Sequence, residues 1–103
     1  MNDVQRLQQV IRNLHELDSE HIESVAVVER FEGQTVWDGR VEVFSVRGHP
    51  HAARAYAWTY TDDDGREHDV AVLAVPPIDT AEKAVRATLA AHAKARLADD
   101  DEI

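Results

Sequence analysis

The sequence predicts one α+β domain, an antiparallel four-stranded sheet with a helix at each end of the chain, arranged in two layers. Two observations predict it. Apolar residues recur at helical spacing near both ends, and the stretch between them is rich in Val, Phe, Trp and Thr and is divided by turn residues. The length of 103 residues suits a single domain. We expect that domain to cover 1–98 and an acidic, frayed tail to cover 99–103.

The first helix is predicted over Asp3–Leu17. Its apolar residues recur every three or four positions, as on one face of an amphipathic helix, and they are Val4, Leu7, Ile11 and Leu14. Asp18-Ser19 predicts the break after the helix, and Glu20–Glu23 predicts a short turn.

Four strands are predicted in the middle of the chain. They cover Val25–Glu32, Thr35–Val46, Ala53–Thr61 and Glu67–Val75. Arg47–His51 is expected to be a loop and Asp62–Gly65 a hairpin turn.

The first hairpin has two possible turns. Glu32-Gly33 is preferred, with Gly39 as a bulge or bend, because a turn at Asp38-Gly39 would leave Gly33 inside a strand. The sequence alone does not exclude either turn.

The last helix is predicted to begin at a capping box and to run to Ala98. Asp79 is the expected N-cap, with Glu82 three residues later. The helix is rich in alanine, which lets it lie close to a neighbour. The acidic tail stands at the unfavourable end of the helix dipole, so we expect fraying there.

The third predicted strand has two unlike faces. Alanines occupy one face, and Arg54, Tyr56, Trp58 and Tyr60 occupy the other. Leaving such aromatic rings in water would forgo several kcal/mol, since each buries roughly 150 to 250 Å2 at ~25 cal/mol per Å2. The predicted interface or ligand-binding residues are Trp37, Phe44, Arg54, Tyr56, Trp58 and Tyr60.

Two coverings of that aromatic face are possible. One helix on each face would make a three-layer monomer. Alternatively both helices pack on one face and a second copy covers the other. A helix is about 10 Å wide and covers about two strands, so one helix per face would leave gaps. The sequence therefore favours a homodimer, with a further protein partner at the acidic surface as an additional expectation.

Two other functions compete with association. The aromatic face is suited to stacking on bases, but a net charge of −9 makes nucleic acid an unfavourable partner. A loop rich in His and Arg is suited to metal or anion binding, or to a small enzyme. Its candidate residues are Arg47, His49, His51 and Arg54, with His68 or Asp69 as a third ligand brought in by folding.

Other classes of protein are disfavoured by composition. The chain has no cysteine, which removes disulfides and thiolate chemistry. No apolar run approaches the roughly 20 residues that span a bilayer. We expect a cytoplasmic protein with no membrane association, no cofactor, no complete metal site and no identifiable catalytic residue.

The central part of the chain resembles a family of short bacterial proteins to which no function is assigned. The similar segments are Phe31–Gly33, Thr35–Gly39, Val41–Phe44, Gly48–Pro50, Ala55–Trp58 and Ala84–Arg86. The element order also resembles the double-stranded-RNA-binding domain, which has three strands. Such domains carry a cluster of lysines at the start of the last helix, whereas Thr80–Ala84 has one Lys and one Glu. The resemblance therefore implies a fold and not RNA binding.

Overall fold

The structure, a computed structural model, describes residues 2–62 and 64–100, with side chains as far as His92. The elements are α1 (Asp3–His15), β1 (Asp18–Phe31), β2 (Gln34–Arg47), β3 (Arg54–Thr61), β4 (Glu67–Leu73) and α2 (Ala81–Asp100). The strands form one antiparallel sheet in the order β1-β2-β3-β4. The predicted α+β class, the antiparallel sheet and the element order are confirmed.

The two helices lie on opposite faces of the sheet. Leu7 and Ile11 of α1 pack against Ala55, Ala57 and Phe44 on one face. On the other face α2 packs through residues that include Ala81, Ala84 and Val85, against an apolar cluster that contains Tyr56 and Trp58. The prediction of two layers is therefore wrong, and the alternative with three layers is correct.

This arrangement follows from the alternation of side chains along β3. Neighbouring residues point to opposite faces, so the alanines meet α1 and the aromatic rings meet α2. Tyr56 and Trp58 are 3% and 2% exposed. A helix of the same chain therefore covers the face that the sequence assigned to a second copy.

The first helix is shorter than predicted and the first strand is longer. Glu16 adopts a left-handed conformation with φ of 56°, and its N–H donates to the carbonyl oxygen of Arg12, which ends α1. β1 then begins at Asp18, where the sequence predicted a break followed by a short turn. The segment Asp18–Glu23 is a strand although its sequence is polar, because β2 pairs with it. The register of this pairing is irregular around Ile22.

The first hairpin turns at Glu32-Gly33, as preferred from the sequence. Both residues have positive φ values, 52° and 79°, as a two-residue type I′ turn requires. Gly39 is not a bulge, since it pairs in regular register with Val27. The register shift lies nearer the turn, between Glu29 and Arg30.

The start of α2 differs by one residue from the prediction. Thr80 is the cap, because its hydroxyl oxygen accepts from the N–H of Lys83 at 3.2 Å. Asp79 instead forms an ion pair with the Lys83 ammonium at 2.8 Å. The helix continues to Asp100, and 101–103, the rest of the predicted frayed tail, lies outside the described residues.

The last strand is shorter than predicted, because β4 ends at Leu73 and not at Val75. Within the predicted hairpin turn over Asp62–Gly65, Asp63 lies outside the described residues.

Candidate functional site

Three of the predicted aromatic residues come together on the face that α2 covers. Trp37 on β2 meets Trp58 on β3 edge to face, with ring centroids 6.0 Å apart. Tyr60 follows Trp58 by two residues on β3 and therefore points the same way. Trp58 is buried, whereas Trp37 and Tyr60 are only partly buried. The rings therefore reach from the core to the surface.

Side chains of α2 close the space beside these rings. Together they line a small cavity of about 40 Å3, and the lining residues are Trp37, Trp58, Tyr60, Val85, Thr88, Leu89 and His92. None of these described residues is Asp, Glu, Lys or Arg. Thr88 donates its hydroxyl hydrogen to the Ala84 carbonyl oxygen within the helix, so it offers the cavity mainly its methyl group. We name this space the aromatic cavity.

A second group of polar rings stands at the outer end of the aromatic cavity. Tyr60 stacks on His68 with centroids 5.1 Å apart, and the ring of His92 lies 5.9 Å away. The His68 Nε2 atom is 2.6 Å from the Oδ2 atom of Asp62. β3, β4 and α2 thus meet at Tyr60.

Asp62 orders the β3–β4 turn. Its Oδ1 atom accepts from the N–H groups of Asp64 and Arg66, both at 2.9 Å. The hydrogen bond with His68, with these backbone N–H groups in addition, holds the pKa of Asp62 below its usual value. Asp62 is therefore the acceptor on which this turn is built.

The other predicted aromatic candidates do not join the cavity. Phe44 is fully buried on the opposite face, beneath α1. Tyr56 is buried near the start of α2, and burial is the main cause that raises the pKa of its phenol. Arg54 is exposed. Because Tyr56 and Trp58 lie under a helix, the β3 rings do not form an open stacking surface for bases.

The His-rich loop has a structural use. The Nδ1 atom of His49 accepts from the backbone N–H groups of His51 and Ala52, at 3.0 and 2.9 Å, so this nitrogen is occupied in turning the chain. His68, offered by the sequence as a third ligand, is instead bound to Asp62 on the β3–β4 hairpin. Among the described residues no group of three or more His, Asp or Glu side chains is arranged to hold a metal ion.

Arg47, the remaining candidate of that loop, is exposed. Its guanidinium lies 3.9 Å from the Glu20 carboxylate, a distance that gives only a weak surface ion pair.

Two carboxylates that sequence reasoning missed are buried. Glu29 accepts from the Arg86 guanidinium at 3.2 and 3.3 Å, which ties β1 to α2. Glu42 accepts from the Ser24 hydroxyl, at 2.7 Å for the Oε2 atom, and its Oε1 atom is 3.4 Å from the Nε2 of His21. The only sequence signal for the burial of Glu42 is its position between Val41 and Val43, which the structure buries.

Besides the two buried carboxylates, the sequence did not reveal the free edge of β1. β1 is a terminal strand of the sheet, and β2 pairs with one side of it only. The residues Ser24–Val28 carry no charge, and Ala26 and Val28 are exposed. Exposed apolar side chains lie near this stretch, and they are Ile22, Phe31 and Val36.

Comparisons of the chain with protein-family models, with curated proteins and with solved structures gave no match. The two resemblances stated from the sequence therefore stay predictions. Within the described part of the chain, neither helix combines the length and the apolar character needed to cross a membrane.

Proposed function

We propose that this chain is an association domain that pairs with a second copy of itself through the free edge of β1. The observation that carries the proposal is the stretch Ser24–Val28, five uncharged residues on a terminal strand. A strand edge presents unpaired N–H and C=O groups, which favour pairing with another strand. Proteins that remain monomeric commonly protect such edges with charges, prolines or bulges.

The two edges of the sheet differ in this protection. β4 begins with Glu67 and Asp69 among its first three residues, and Pro76 and Pro77 follow its end. β1 carries Glu20, Glu23 and the irregularity at Ile22 in its first half, but nothing equivalent over Ser24–Val28. Pairing of β1 with its own copy therefore yields a closed dimer, since the β4 edges resist further growth.

The sequence of β1 also favours one register for that pairing. In an antiparallel dimer with a two-fold axis, one residue stands opposite its own copy. With Ala26 on the axis, Val25 faces Val27 and Ser24 faces Val28, so that every pair over the stretch is uncharged. An axis at Val25 or Val27 would set a glutamate opposite a valine.

The residue pairs that flank this stretch do not prevent the pairing. The next pair places Glu23 opposite Glu29, and Arg86 already neutralises Glu29 in each chain. The smallest side chain of the stretch, Ala26, lies where the two backbones approach. The exposed Val28 side chains gain cover from the second copy.

Sedimentation equilibrium at micromolar concentration tests the proposal. We expect a dimer for the native chain and a monomer for Ala26→Lys, because a lysine at the axis would stand directly against its own copy. Ala90→Lys is the matched control, since Ala90 is also an exposed alanine but lies on α2 and not on β1. A native chain that is strictly monomeric, or an Ala26→Lys variant that is still dimeric, would overturn the proposal.

A further inference from the structure

The aromatic cavity has the size of a small chemical group. Its volume of about 40 Å3 holds roughly three water-sized groups, at ~10 to 15 Å3 for each water. That space suits the outer atoms of a small head group.

The walls of the cavity favour a cation over a neutral group. Trp37, Trp58 and Tyr60 bring three π systems to one space, and the faces of such rings attract cations. Among the side chains that the structure describes, which on α2 end at His92, the only basic one in the lining is the exposed imidazole of His92.

The ion pair of Glu29 and Arg86 beside the cavity does not oppose a cation, and the net charge of the chain favours one. Glu29 stands directly across the β1–β2 pair from Trp37, and its carboxylate is buried. Arg86, which follows Val85 on α2, already donates hydrogen bonds to that carboxylate. The whole chain carries a net charge of −9, which raises the local concentration of cations.

We propose that the aromatic cavity binds the methylated ammonium head of a small, choline-like molecule. A quaternary ammonium is a diffuse charge that loses little hydration when it enters an aromatic site. The head has five heavy atoms, one nitrogen and four carbons, so the partly open cavity would hold its outer methyl groups and not the whole of it. This site lies on the α2-covered face and does not depend on the pairing of β1.

Intrinsic fluorescence tests the proposal directly, because the only two tryptophans of the chain both line the cavity. The probes are choline and its neutral isostere 3,3-dimethylbutan-1-ol, titrated at equal ionic strength. We expect choline to change the emission and to bind at least about tenfold more tightly than the alcohol, as cation–π attraction in a partly desolvated site implies. Equal binding of both probes, or no response to choline, would overturn the proposal.

Two variants locate the binding. Trp37→Leu removes the least buried indole, leaves Trp58 as the reporter, and is expected to weaken choline binding by about tenfold or more. Phe31→Leu is the control, since Phe31 is an exposed aromatic residue at the tip of the β1–β2 hairpin, and its affinity should equal that of the native chain. Equal losses in both variants, or none in either, would contradict binding in the cavity.

Discussion

The ring of Trp37 lies over Gly39, so that a Cβ atom on Gly39 would stand 2.8 Å from the Cη2 atom of Trp37. The two residues are neighbours on one face of β2. The missing side chain at Gly39 leaves the room in which the indole turns toward Trp58. This glycine therefore shapes the aromatic cavity, although its backbone is an ordinary strand.

We predict that Gly39→Ala moves the Trp37 ring. The added methyl group meets the far end of a side chain, which can shift, so the loss of folding free energy should be only about 1 kcal/mol. Tryptophan emission should change with it. Gly33→Ala is the control, since φ is 79° there and its Cβ would meet nothing within 4 Å. That variant should also cost about 1 to 2 kcal/mol, through backbone strain, with unchanged emission. Unchanged emission in Gly39→Ala would contradict the account.

We predict that Ala84→Leu destabilises the fold by about 1 to 3 kcal/mol, because Ala84 is fully buried where α2 meets the aromatic face. Ala87→Leu, on the exposed side of the same helix, should stay within about 0.5 kcal/mol of the native chain. Urea denaturation of both variants measures the difference. If the two cost the same, α2 does not lie on the sheet as described.

We predict an asymmetry within the ion pair of Glu29 and Arg86. Arg86→Leu leaves a buried carboxylate without its partner and should cost about 1 to 3 kcal/mol. Glu29→Leu should cost less, because the Arg86 side chain is 66% exposed and remains hydrated. The double variant should recover part of the loss, as a double-mutant cycle of unfolding free energies would reveal. The opposite order of the single variants would refute this.

We predict that the contribution of Asp62 to stability depends on pH. Its pKa in the folded chain is lowered from the ordinary value of 3.8, so the stabilisation is fully present above pH 3.8 and is lost as the pH falls through the lowered folded value. The free energy of unfolding, measured by urea denaturation, should therefore be lower for Asp62→Ala than for the native chain at pH 6. Below pH 3.8 the difference between the two should shrink progressively. Asp64→Ala, which removes no acceptor of these bonds, is the control. A difference that persists unchanged at the acid end would contradict the assignment.

The sequence predicts the elements well where hydrophobic periodicity is strong. The ends of α1, β2 and β3 lie within two residues of the prediction, because each of these elements carries a clear apolar face. The start of β1 was missed since Asp18–Glu23 has no such pattern, and its strand form depends on pairing with β2. Tertiary pairing of this kind leaves little trace in a local window.

The layer arrangement was the larger error, and it had a physical cause. Argued from helix width alone, one helix per face leaves strands uncovered, and Val28 and Val36 are indeed about half exposed. In the structure these valines stay partly uncovered, while α2 buries the large aromatic side chains of Tyr56 and Trp58. Of the candidate site, the sequence identified Trp37, Trp58 and Tyr60, but it could not show that α2 would close a cavity over them.

A single cysteine gives the most direct measurement of the proposed association. The chain has no cysteine of its own, so Ala26→Cys places a thiol only on the proposed two-fold axis. Directly opposed Cβ atoms lie about 4.5 to 5.5 Å apart, near enough for a disulfide after a small shift. Mild oxidation followed by denaturing electrophoresis should yield a covalent dimer of Ala26→Cys. Val28→Cys, whose two copies would stand roughly four residues apart, should remain monomeric. If Ala26→Cys crosslinks no faster than Val28→Cys, pairing of β1 about Ala26 is contradicted.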